Sequence, residues 1–141
     1  MHFKKTILTI ITFLSISSLA KSEISYEKDF DETQFIIESQ IQAFLDENAE
    51  LAYSYAAPLI KMKFNNPLEF MSMVKNYYEP VYNPKQFYFI DARYFEGAIY
   101  HQLQVISQQD ESFLATYSLI QDEGKWKISG CAVYPMQKQS I

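Results

Sequence analysis

Residues 86–134 read QFYFIDARYF, EG, AIYHQLQVIS, QQDE, SFLATYSLIQ, DEG and KWKISGCAVY in succession. Four runs rich in aromatic and β-branched residues alternate with three short polar breaks, two of which carry a glycine. Glu96-Gly97 and Asp122-Glu123-Gly124 are turns by composition, because glycine accepts the positive φ that tight hairpins need. The spacing predicts four antiparallel strands in a meander, at about 86–95, 98–107, 112–121 and 125–134.

The register of the first hairpin decides what chemistry that sheet could carry. A two-residue Glu96-Gly97 loop pairs Phe95 with Ala98, sets Ala92 across from His101, and sends Asp91 to the opposite face. A three-residue loop with Gly97 in a bulge pairs Tyr94 with Ala98 and puts Asp91 directly across from His101. Both registers leave Ile99, His101, Leu103 and Val105 on the apolar face of the second strand. In the first, their neighbours are Tyr88, Ile90, Ala92 and Tyr94, and Asp91, Arg93, Gln102 and Gln104 share the other side. That register is favoured because it gathers the polar groups together. His101 is then a hydrogen-bonded core residue; in the alternative register Asp91 would orient its imidazole as a general base.

Upstream, the periodicity turns helical. Asp31 stands as an N-cap with Gln34 at the third helical position, and Phe30 and Phe35 are spaced as a hydrophobic staple. Ile37, Ile41, Phe44 and Leu45 then recur at helical spacing over 32–46. Asp46-Glu47-Asn48 interrupts them before a short helix from Ala49 to about Ala56, limited by Pro58. Residues 59–64 are apolar but too few to classify. Asn66-Pro67-Leu68-Glu69 starts a third helix, with Asn66 as cap and Pro67 in the first turn, and Phe70, Val74, Tyr77 and Tyr78 supply its inward face before Pro80. Helices first and strands last make an α+β domain, with N-terminal helices on one face of a curved four-stranded antiparallel meander and room for a conical cavity between the layers.

The chain opens with a different signal. Met1-His2-Phe3-Lys4-Lys5 is basic, Thr6 to Leu19 is an apolar and hydroxyl run, and Ser18-Leu19-Ala20 presents small residues to a signal peptidase. The expected organisation is a signal peptide over 1–20 cleaved near Ala20, a linker over 21–30, one domain over 31–135 and a polar tail over 136–141. The product is an exported protein, periplasmic or extracellular, without a stable membrane anchor. Cleavage takes two lysines and changes the balance from 12 − 17 = −5 to 10 − 17 = −7. An acidic chain whose only local lysine pairs are Lys61/Lys63 and Lys125/Lys127 argues against nucleic acid. Cys131 is the single cysteine, so no intrachain disulfide forms, and it reads as a small buried hydrophobe. With one histidine after Ala20, no metal site at zinc-like spacing exists, and no phosphate loop, nucleophile motif or cofactor fingerprint appears.

Ser54, Ala56-Ala57-Pro58, Ile60, Phe64, Phe70, Met73-Val74, Tyr78, Pro80-Val81 and Gly124-x-Trp126-x-Ile128-x-Gly130-Cys131 resemble a bacterial family of uncharacterised domains, over about 33–134. More distantly, the helices-then-meander layout is similar to the nuclear transport factor two-like superfamily, which includes ketosteroid isomerases, dehydratases and non-enzymatic binding domains. That resemblance implies a cone and, in its enzymes, proton transfer by side chains inside it. The candidates here are Asp91 and His101 for acid/base chemistry, with Arg93 beside Asp91, and Tyr53, Tyr78, Tyr117 and Trp126 for a ligand. Eleven Tyr and eleven Phe suit a cavity lined for an aromatic or sterol-like molecule, although Tyr also fills half-buried strands and Trp126 is most simply a packing anchor. The sequence therefore points to a module that binds a small apolar ligand, or to an interaction domain pairing through its sheet as a homodimer. The alternative is a cofactor-independent isomerase, dehydratase or hydrolase using Asp91 and His101.

Overall fold

The computed structural model describes residues 16–138, with side chains from Tyr26 onward. The basic start and most of the apolar run expected as a signal peptide, and residues 139–141 of the tail, lie outside the described residues. Five helices precede four strands: α1 Ile16–Leu45, α2 Ala49–Ser54, α3 Pro58–Lys63, α4 Pro67–Tyr77 and α5 Glu79–Tyr82, then β1 Gln86–Phe95, β2 Ala98–Ile106, β3 Ser112–Asp122 and β4 Lys125–Pro135. The sheet is open and antiparallel, in the order β1-β2-β3-β4, and the domain is of the α+β class.

Both glycine turns are two-residue loops. Glu96 and Gly97 have φ of 48° and 82°, and Glu123 and Gly124 have 49° and 77°, the paired positive values whose twist matches that of the flanking strands. Phe95 pairs with Ala98 and Ala92 with His101, which is the favoured register. Beyond Asp91 the pairing shifts by one residue, because Ile90 is bulged out between Phe89 and Asp91. The bulge corrects the expected neighbours of the apolar face. Phe87 and Phe89, opposite Val105 and Leu103, turn towards the helices and pack on the core, whereas Tyr88 and Ile90 are exposed. A single extra residue inverts the alternation of everything before it. A second bulge, at Ser129, separates the Ser118–Gly130 pair from the Leu119–Ile128 pair.

Helix α1 begins well before Asp31, so the cap expected there lies inside continuous helix, which also runs through residues 21–30. Asp31 is exposed on its side, and Phe35 faces solvent instead of stapling an entry turn. Phe30 packs on the core. The C-terminus is built locally. Glu47 takes φ of 55°, and its backbone N–H and that of Asn48 return to the carbonyls of Phe44 and Ala43 at 3.0 and 2.8 Å, which satisfies the orphaned end of α1. Asn48 then accepts from Leu51 N–H to cap α2. Asn66 accepts from Glu69 N–H to cap α4, and the Glu69 carboxylate accepts from Asn65 N–H, the residue before the cap. Residues 58–63, unclassified by pattern, form α3, with Pro58 in its first turn.

Ile37, Ile41 and Phe44 of α1, Phe70, Met71 and Val74 of α4 and Val81 of α5 meet Ile99, Leu103, Val105, Ala115, Tyr117, Leu119 and Ile128 of the sheet in one core. Burying each large aliphatic or aromatic side chain contributes roughly 2 kcal/mol. The Ala-Ala-Pro block explains itself at the edge of β4. Ala56 forms a parallel bridge with Ile128; Ala57 N–H donates to Ile128 O at 2.7 Å and Ile128 N–H to Tyr55 O at 2.8 Å. Both alanines are fully buried, so backbone lies on backbone with room for a methyl group only, and this part of the sheet edge is covered.

Enlarging that contact should be costly. Ala57→Leu is expected to destabilise the domain by about 2 kcal/mol through overpacking, and Leu59→Ala, two residues away and exposed, by less than about 0.5 kcal/mol. Urea unfolding midpoints of the two variants check this.

Candidate functional site

The acid/base pair of the alternative register does not assemble. Asp91 lies opposite Gln102 on the outer face and accepts from Arg93 Nε at 2.7 Å in an exposed ion pair, which contributes little to stability. His101 lies on the other face, 2% exposed, between the edges of Phe30 and Phe89. Its Nε2 is 2.7 Å from Thr33 Oγ1. The Thr33 hydroxyl sits 2.7 Å from Asp29 O and 3.1 Å from Phe30 O, so it donates to backbone carbonyl and accepts from the imidazole. That assigns the proton to Nε2. Burial pushes the imidazole below its usual range, which keeps it neutral and makes His101 a tie between α1 and β2.

A cavity of about 270 Å³ opens elsewhere, between the helices and the β3–β4 half of the sheet. Gln40 and Phe44 reach it from α1, Ile60 and Lys63 from α3, Phe70, Met73 and Val74 from α4, and Tyr117 and Cys131 from the sheet at the Ser129 bulge. Its walls are mostly apolar. Gln40 is buried and donates to Ala52 O at 3.1 Å. Lys63 is exposed on its side chain, so it stands at the rim. Tyr117 is 1% exposed, and its hydroxyl has no hydrogen-bond partner among the described residues. Burial, and secondarily the adjacent Cys131, pushes that phenol well above its usual range. Burial likewise pushes the Cys131 thiol up to about 12, partly offset by Tyr117. The two groups are close enough to influence each other without the geometry of a hydrogen bond. The thiol is therefore un-ionised and a poor nucleophile.

Of the four proposed ligand residues, Tyr78 and Tyr117 line this cavity, and Tyr53 and Trp126 do not. Tyr53 donates to Phe64 O at 2.6 Å and bears Lys61 over its ring, which fixes the chain behind the rim. Trp126 is a core residue whose Nε1 donates to Asp29 Oδ1 at 3.4 Å, anchoring β4 to α1. The lining residues missed in the sequence are chiefly Gln40, Lys63 and Cys131. Gln40 had a legible signal, as the polar member of the buried Ile37, Ile41, Phe44 stripe. Lys63 and Cys131 had none, since α3 and the Ser129 bulge leave no periodic trace. One lysine of each pair comes near the other, because Lys127, lowered first by burial, is lowered further by Lys61 and Lys125, with Asp122 opposing. Among the described residues, no three His, Cys, Asp or Glu side chains gather as a metal site would require, and no helix is long and apolar enough to cross a membrane.

The neutral His101 predicts acid sensitivity. Because the folded ring resists a proton that the unfolded chain accepts, the stability it contributes is present above about pH 6.5 and is lost as pH falls below it. Urea titrations from pH 8 to 5 should show this loss in the wild type, and His101→Gln, which costs about 1 kcal/mol at neutral pH, should flatten that part of the profile.

The family model described as a domain of unknown function (DUF4864) matches residues 26–141. No curated protein matches the chain.

Proposed function

This chain belongs to the DUF4864 family, a domain of unknown function, and from that premise we propose that it is an exported module that binds a small, mainly apolar molecule in the cavity between α1, α4 and β3–β4. Tyr117, which lines the mostly apolar cavity and whose buried hydroxyl has no hydrogen-bond partner among the described residues, carries this reading. A polar group left unpaired in a core costs about 1–3 kcal/mol, and a cavity occupant is the group that would offset it. The helices closing one side of the bulged sheet support the resemblance to a nuclear transport factor two-like cone. Its enzymes work with ionisable side chains inside the cone; here, among the described residues, the lining holds neither His nor carboxylate, which favours binding over acid/base catalysis. Saturation with para-methylacetophenone or indole, at about 100 times the Kd, should stabilise the domain by about 2.7 kcal/mol, and Val74→Phe, which fills the cavity, should abolish the gain. Absence of any stabilisation by either probe would sink the reading.

A homodimer through the outer sheet face is a second reading, favoured by the character of that face. Tyr88, Tyr100 and Tyr134 are exposed on it, with Leu114 and Ile120 partly exposed among Gln102, Gln104 and Thr116. Export and pairing are tested together by mass spectrometry of protein from its own cell. Denatured, the chain should begin near Lys21; under native conditions it should weigh twice that chain. An intact Met1 to Ala20 excludes export, and a monomer at high concentration excludes the dimer.

A further inference from the structure

We propose that the cavity selects a small aromatic or cyclic carboxylic acid with a neutral hydrogen-bond acceptor at its far end, the acceptor meeting the Tyr117 hydroxyl and the carboxylate meeting Lys63 at the rim; this rests on the binding reading above. Size sets the first limit. A dry cavity of about 150 Å³ holds benzene, and drug-sized ligands occupy about 300 Å³ or more. At about 270 Å³, this one suits a substituted single ring or two small rings. The fused ring system of a sterol is too large for it.

Polarity sets the second limit. The Tyr117 phenol is fully buried and unpartnered, and burial holds it protonated, so it offers a donor to a carbonyl, an ether or a ring nitrogen. A carboxylate at that depth would lose its hydration to a single neutral donor. The charged end of the ligand therefore belongs at the opening. There the lining presents one cation, Lys63, and no carboxylate. Lys61 on the same short helix lies near enough to Lys127 to add to the lowering of its pKa by burial, with Lys125 adding further and Asp122 opposing it, a local group of lysines on a chain of net charge −5. Local potential of one sign at a cleft mouth raises the concentration of the opposite ion there even when the whole molecule repels it.

Four probes separate the elements of this proposal by calorimetry. The para-acetylbenzoate anion and its longer homologue para-acetylphenylpropanoate carry both ends, para-isopropylbenzoate lacks the acceptor, and para-methylacetophenone lacks the charge. At least one acetyl acid should bind more tightly than both single-ended probes, and more weakly at high salt. Tyr117→Phe should weaken that acid about tenfold and leave para-isopropylbenzoate unchanged. Lys63→Gln should weaken the acids about threefold and leave para-methylacetophenone unchanged. Equal binding of para-methylacetophenone and the acetyl acids, or equal losses for both kinds of acid in Tyr117→Phe, would overturn the proposal but not the binding reading. If none of the probes binds, both fall.

Discussion

The domain depends on covering one apolar face of a four-stranded sheet whose other face is open. Ile99, Leu103, Val105, Ala115, Tyr117 and Leu119 alternate along two central strands, and the free energy of folding comes largely from removing that face from water. Helix α1 supplies much of the cover, and it is held in place by more than apolar contact. The Thr33–His101 hydrogen bond, the Trp126–Asp29 contact and the Ala57–Ile128 backbone pairing tie the helical layer to β2 and β4. Hydrophobic burial is non-directional and would tolerate several placements of a helix on such a face. The polar ties have one geometry each, and so select one placement.

Two extra residues give the sheet its local character. At Ile90 the bulge turns two phenylalanines inwards and leaves Tyr88 and Ile90 outside. At Ser129 the ladder opens beside Tyr117 and Cys131, where the cavity forms. Bulges bend a strand and raise its twist locally. The Ser129 hydroxyl closes the irregularity on the far strand, 2.9 Å from Ser118 Oγ and 3.1 Å from its carbonyl.

Two of the buried polar side chains, His101 and Tyr117, differ in how they are satisfied. His101 is satisfied, neutral and enclosed by Thr33 and two phenylalanines, which is what a structural role requires. Tyr117, its direct neighbour across the β2–β3 ladder, is buried just as deeply and remains unsatisfied. A core selected only for stability would carry phenylalanine there, since the ring packs identically and the hydroxyl adds a desolvation cost. That hydroxyl, on a residue lining the cavity, is the observation on which the proposal of ligand binding rests.

The sequence by itself determined the strands and their turns and favoured the first hairpin's observed pairing, because glycine-bearing two-residue loops constrain the backbone locally and leave little to distant contacts. It also determined the Asn66 cap with its Pro67 and the break at Asp46-Glu47-Asn48, for the same reason, whereas the cap read at Asp31 lies inside α1. What it left open were the long-range outcomes: where α1 begins, which β1 residues face inwards before the bulge, and which side chains share a cavity. Asp91 and His101 differ by one residue of register, and Tyr117, Cys131, Gln40 and Lys63 are distant in the chain. Only the tertiary structure brings the latter four together, because bulges and helix placement are settled by competition for burial over the whole sheet, and no local pattern records that competition.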